Sequence, residues 1–140
     1  MQMVMTAAEL AAFLAREFPQ VRDDFAVEHL TGDGIVMRLK VAERHLRPGG
    51  TVSGPSIFAL ADVAVYLAIL ARIGPVALAV TTSSGVDFLR KPEAGADLIG
   101  TARLLKLGRV LAVGDVLIRS EGQEAPVARA NMTYSIPPRR

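Results

Sequence analysis

The apolar positions change rhythm along the chain, and each change marks an element. Leu10, Phe13, Leu14 and Phe18 recur at helical spacing and give one apolar face. Thr6 and Glu9 have the spacing of a capping box, and Pro19 stops the pattern, so a helix is expected over about residues 6–18. Phe25–Leu30 and Ile35–Val41 follow, split by Thr31-Gly32-Asp33-Gly34. Ile35, Met37, Leu39 and Val41 alternate with Val36, Arg38 and Lys40, which predicts a β-hairpin. A breaker-rich loop, Arg47 to Pro55, leads into Ser56–Arg72, a predicted helix that Gly74-Pro75 ends. That helix is apolar nearly all round, the pattern of a helix buried in a core rather than laid on a surface.

After this helix the pattern is two-fold. Val76–Leu89, Leu98–Leu107, Val110–Arg119 and Val127–Ile136 read as strands, with turns at Gly95, Gly108 and Gly122. The last is clearest: Ala128, Ala130, Met132, Tyr134 and Ile136 share one face, and Arg129, Asn131, Thr133 and Ser135 the other. Short turns between successive strands predict a largely antiparallel sheet. The expected architecture is α+β, with a curved sheet wrapped around one long buried helix. No linker, repeat or low-complexity block divides the 140 residues, so one domain over 1–140 is expected.

Composition narrows the function. Lys and Arg number 16 against 14 Asp and Glu, a formal charge of +2, with short basic clusters at Arg90-Lys91 and Arg139-Arg140. Trp is absent and other aromatics are few, which leaves a base-stacking nucleic-acid platform poorly supplied. Cysteine is absent, which removes disulfides, thiolate metal sites and cysteine nucleophiles. With only His29 and His45, a multi-histidine metal site and a Ser-His-Asp triad have little to draw on. The N-terminus lacks a basic n-region, and the longest apolar run, Ile57–Leu70, is short of a membrane span and holds Asp62. A cytoplasmic protein with no membrane partner is expected.

Asp62 is the only charged side chain between Pro48 and Ala71. A carboxylate on a buried helix is costly unless paired or used, so it is either a satisfied polar group or a functional acid. Ahead of it, Gly49, Gly50 and Gly54 let backbone approach a ligand, and the helix start directs free N–H groups and a positive dipole end there. That combination suits a developing oxyanion. It equally suits a plain cap with Ser53 or Gly54 at the N-cap and Pro55 in the first turn. Gly54 and Asp62 lie eight residues apart, about 12 Å along a helix. The two reach one carbonyl only if they come from different chains, so a shared site requires at least a dimer. Gly50 to Gly54 is not a G-x-S-x-G elbow, because the serine falls one place late. The hydroxyl run Thr81, Thr82, Ser83 and Ser84 either lines a groove or is ordinary strand polarity. Arg90, Lys91 and Arg109, at strand ends or turns, either meet phosphates or are simply solvated.

Val52 to Asp62 resembles the signature of hotdog-fold thioesterases of the PaaI-like, 4-hydroxybenzoyl-CoA thioesterase-related superfamily: His-Gly-Gly, then Leu-x-Asp on the central helix. Val86-Asp87-Phe88-Leu89-Arg90-Lys91-Pro92 resembles the same family's downstream strand, and the resemblance spans roughly residues 25–136. It implies an acyl-CoA thioesterase that uses no metal or redox cofactor. Asp62 falls on the catalytic nucleophile or general base and Gly54 on the oxyanion donor. Thr81 or Thr82 falls near a hydroxyl that places water. It further implies a site between the chains of a homodimer, with dimers commonly paired into tetramers. Ser53 stands where the family has histidine, Pro55 where it has the second glycine, and Arg47 near a polar amide of some members. A related dehydratase would need a catalytic histidine on the helix, and neither histidine sits there. The departures at Ser53 and Pro55 motivate an alternative, a non-catalytic acyl-CoA-binding or regulatory module. Arg47, Ser53, Arg90, Lys91 and Arg109 are the expected substrate-binding residues, and the acyl group is left open because so few aromatics argue for an aryl substrate.

Overall fold

The computed structural model describes residues 2–138, so Arg139 and Arg140 of the second basic cluster lie outside the described residues. The elements run α1 (Ala7–Glu17), β1 (Phe25–Leu30), β2 (Gly34–Leu39), α2 (Gly54–Ile73), β3 (Val80–Phe88), β4 (Leu98–Leu107), β5 (Leu111–Ser120) and β6 (Pro126–Ser135). The sheet order is β1-β2-β4-β5-β6-β3, antiparallel at every pairing. This is the α+β arrangement the hydrophobic pattern predicts.

α1 begins on the expected capping box: the Glu9 N–H donates to Thr6 Oγ1 at 3.1 Å and the Thr6 N–H to Glu9 Oε1 at 3.0 Å. Its buried face is Leu10, Phe13 and Leu14, each contributing about 1.5–3 kcal/mol by leaving water. α2 is the core of the molecule. Twelve of its residues are buried, and the largest share of its packing is against β4 and β2. By length and composition it would pass for a membrane span, yet here its apolar surface is covered by the sheet. One stripe stays partly open: Phe58, Ala59, Asp62 and Val63, at helical spacing, are only half-buried.

Two contacts lock the hairpin to the core. The buried Arg72 guanidinium, at the last turn of α2, donates to the carbonyls of Thr31, Gly34 and Ala68 at 2.8, 3.2 and 3.0 Å. Burial lowers its pKa from the ordinary arginine value. Gly34 lies flat against β4, where a Cβ would fall 1.7 Å from the Ala102 carbonyl oxygen, so no side chain fits there. Sequence and structure differ at the start of β3. Val76–Ala79 form a turn rather than strand, because the chain leaving Gly74 (φ 97°) must first cross from the end of α2 to the sheet edge.

Candidate active site

Asp62 sits in the middle of α2 with its carboxylate turned toward β3 and β6. Thr81 and Tyr134 face each other in the β3–β6 pairing, and both reach the same carboxylate oxygen. Thr81 Oγ1 donates to Asp62 Oδ1 at 2.6 Å and the Tyr134 hydroxyl to the same atom at 2.7 Å. That hydroxyl also lies 3.1 Å from the Asp62 backbone carbonyl. Charge-assisted bonds of this length are the strong class, so they hold the carboxylate in one rotamer. Among the described residues Asp62 Oδ2 accepts no hydrogen bond, which leaves it the oxygen free to act. The Tyr134 hydroxyl is held well above the ordinary tyrosine pKa, first by burial and then by the Asp62 charge, so it stays a donor.

Thr81, not Thr82, makes this contact. A register irregularity between Thr81 and Ser83 turns Thr82 outward, where its hydroxyl lies 3.4 Å from the Thr133 carbonyl. Ser83 and Ser84 are exposed strand residues. Tyr134 is the residue sequence reasoning passed over. Its inward face was readable from alternation, but its partner depends on β6 lying beside β3.

Asp62, Thr81 and Tyr134 stand on the wall of a cavity of about 340 Å³ that is otherwise apolar. α1, the 3-10 turn Pro19–Val21, the start of β1 and α2 frame it together with β3 and β6. Four of the chain's seven aromatic residues line it: Phe18, Phe25, Tyr66 and Tyr134. Tyr66 stacks on Tyr134 with centroids 5.9 Å apart, and Phe18 meets Tyr66 edge-on at 5.8 Å. The Tyr66 hydroxyl donates to the Ala77 carbonyl at 3.0 Å, and burial pushes its pKa up to about 12, with the Glu17 charge adding to the shift.

The loop before α2 forms a second, separate cavity of about 440 Å³. Arg47, Gly54, Arg90 and Lys91 line it together, three cations around the first amide of the helix. Gly49 and Gly50 adopt φ of 104° and 84°, which only glycine takes readily, and they turn the chain between Arg47 and Thr51. The Ser53 N–H donates to the His45 carbonyl at 2.8 Å, and Ser53 Oγ caps the helix by accepting from the Ser56 N–H at 3.4 Å. Ser53 is thus the N-cap, and its side chain does not line the cavity. The Gly54 N–H has no acceptor among the described residues. A Cβ at Gly54 would come 3.3 Å from the exposed Phe88 ring. Arg109 lies elsewhere, at the β4–β5 turn beside Ile73 and the far end of α2. His45 is buried beside Asp24 and receives the Ala42 N–H on Nδ1 at 2.9 Å, away from Asp62. Among the described residues no three His, Asp or Glu side chains are grouped to hold a metal ion.

The profile of the Thioesterase superfamily matches residues 49–127, which include most of the loop, α2 and strands β3 to β5. The structure superimposes on one from Silicibacter sp., provisionally assigned as a thioesterase, at TM-score 0.93 and 62% identity. That match covers 99% of this chain and 96% of that one. A mutant of the phenylacetic acid degradation protein PaaI from Thermus thermophilus matches at TM-score 0.72 and 32% identity, over 85% of this chain and 99% of that one. A hypothetical thioesterase of Streptococcus pneumoniae, solved with coenzyme A, shares the fold at TM-score 0.76 and 21% identity, over 94% and 98% of the two chains. No curated protein matches.

Proposed function

The chain belongs to the thioesterase superfamily, hotdog-fold enzymes that hydrolyse thioesters, and from that premise we propose that it is an acyl-CoA thioesterase in which Asp62 is the catalytic carboxylate. The observation that carries this reading is Asp62 itself: the one carboxylate on a buried helix, clamped through one oxygen, with the other free beside an apolar cavity. Such an oxygen can take a proton from water or attack a carbonyl directly. In the first route a water oxygen bonds to the thioester carbon and its proton passes to Asp62. The tetrahedral intermediate then expels the coenzyme A sulfur, which leaves with a proton. In the second, an Asp62 oxygen bonds to the thioester carbon and displaces the coenzyme A sulfur, which leaves with a proton, and water then opens the resulting anhydride to the free acid and the Asp62 carboxylate. Either route places negative charge on the carbonyl oxygen, which a free amide at a helix start stabilises. The Gly54 N–H has that position.

Gly54 and Asp62 open into different cavities, and eight residues of helix, about 12 Å, separate them within a chain. The working unit is therefore a homodimer in which the Gly54 amide of one protomer serves the Asp62 of its partner. The outer edge of β3 supports this, since the strand pairs with β6 on one side only and carries exposed Val80 and Phe88. The coenzyme A phosphates are assigned to Arg47, Arg90 and Lys91, the three cations around the Gly54 cavity. A coenzyme A partner is in keeping with the pneumococcal relative.

The test is thiol release from a panel of acyl-CoA esters, for wild type beside Asp62→Asn. The variant keeps the fold and loses at least about 100-fold in kcat, the lower range for an acid–base group. Near wild-type turnover in Asp62→Asn refutes the assignment. Acyl-CoA that raises Tm without releasing thiol indicates a binding module instead.

A further inference from the structure

The cavity beside Asp62 limits the acyl group by size and by chemistry. We propose that it takes an uncharged, apolar acyl group of up to about eleven non-hydrogen atoms, and that Phe18 sets this limit as a specificity-determining residue. The inference rests on the thioesterase reading above. At about 30 Å³ for each water-sized group, the part of the cavity that this chain forms, about 340 Å³ and open on one side, has room for roughly eleven, the size of a decanoyl group. The cavity runs along one face of α2, past Ala59, Asp62, Val63 and Tyr66. Asp62 and Tyr66 are one helical turn apart, about 6 Å. Beyond Asp62 the path therefore meets the Tyr66 ring, which cannot step aside. It is buried, stacked on Tyr134 and tied through its hydroxyl to the Ala77 carbonyl.

Phe18 is the movable part of that end wall. It caps α1, stands edge-on to Tyr66 and is 42% exposed. Removing its ring opens the end of the cavity to solvent without touching the Asp62 cluster. The lining also carries no cation. Its hydroxyls, on Thr81, Tyr134 and Tyr66, are already engaged, and its one charge is the Asp62 carboxylate. A carboxylate at the far end of an acyl chain would be buried without a partner and repelled by Asp62.

The experiment measures kcat/KM for saturated CoA esters from butyryl to palmitoyl, with adipyl-CoA as the charged arm and phenylpropionyl-CoA as the ring-bearing arm. Wild type, Phe18→Ala, Phe18→Trp and Asp62→Asn are compared. In wild type the values rise to octanoyl or decanoyl, since each methylene in an apolar site is worth about fourfold. They fall at least about tenfold by palmitoyl, and adipyl runs at least about tenfold below hexanoyl. Phe18→Ala raises the palmitoyl-to-octanoyl ratio about tenfold, and Phe18→Trp moves the optimum to shorter chains. Octanoyl and phenylpropionyl compared with each other tell whether chain or ring is the favoured apolar form, and either supports the proposal. Palmitoyl turned over as well as octanoyl, adipyl as well as hexanoyl, or a profile unmoved in both Phe18 variants overturns it. If turnover then still depends on Asp62, the thioesterase reading survives. No turnover of any ester overturns both.

Discussion

Tyr134→Phe isolates the hydrogen bond that holds the candidate catalytic carboxylate. The substitution removes one oxygen and leaves the ring, so the stacking on Tyr66 and the filled volume persist. The lost donor lies 2.7 Å from Asp62 Oδ1, and hydrogen bonds to a charged group are worth about 1.5–3 kcal/mol. Thr81 still donates to the same oxygen at 2.6 Å, so the carboxylate is loosened rather than released. If most of that energy serves orientation, kcat falls about 10- to 100-fold, at about 1.4 kcal/mol for each factor of ten. KM should hardly move, because the hydroxyl faces Asp62 and not the loop cavity with its cations. Asp62 is only half-buried and can recruit water, so stability should drop by about 1 kcal/mol, a few degrees in Tm. Steady-state kinetics and a thermal melt on the same preparation separate the two effects. Unchanged kcat would show that Tyr134 is ordinary core, and a fall in kcat matched by loss of folded protein would show that its role is structural. Adding Thr81→Val completes a cycle. Two donors on one oxygen should couple, so the double variant should lose more than the sum of the singles.

The chain has two tyrosines and no tryptophan, so tyrosinate absorbance reads the site directly. Tyr66 is pushed up to about 12 and Tyr134 also lies above its ordinary range, so the native protein shows almost no tyrosinate at pH 10, where the urea-unfolded chain is about half ionised. Because the folded state holds these protons longer, their contribution to stability is complete below pH 10 and is lost as pH rises through 12 and beyond, which an alkaline melt series measures. The two-chain site is checked by mixing inactive variants. Gly54→Pro removes the amide, at a helix position where proline is tolerated, and Asp62→Asn removes the carboxylate. Random reassortment makes half the dimers mixed, each with one intact site of two, so about a quarter of wild-type activity returns. Failure to recover any activity, with mixed dimers demonstrated, would place both groups in one chain's site.

The fold was legible because local signals agreed. The capping box at Thr6 and Glu9, the alternation on β2 and β6 and the all-round apolar α2 each named an element that the structure contains. The exception is instructive. Val76–Ala79 carry a strand-like composition, yet they form the turn that carries the chain from α2 to the sheet edge. Apolar residues are needed there for another reason: Ala79 is buried on the cavity wall, and the Ala77 carbonyl anchors Tyr66. Periodicity alone cannot separate a short apolar connection from the strand it joins.

The candidate site was legible only where a residue broke its surroundings. Asp62 stood out as the only charge between Pro48 and Ala71, and Gly54 as a break before the helix. Tyr134 and Phe18 broke nothing. Each continued the pattern of its own element, and each gains its role from elements distant in sequence. β6 lies between β5 and β3, and that order puts Tyr134 opposite Thr81 and above Asp62. α1 ends where Phe18 can reach Tyr66 on α2. The scarcity of aromatics likewise left the acyl group open, because a count does not say where residues gather. Four of seven line one cavity. The core around α2 is otherwise mainly aliphatic, so the gathering of rings on one wall marks that wall out. The rings are where the core has a gap, and the gap is where Asp62 is.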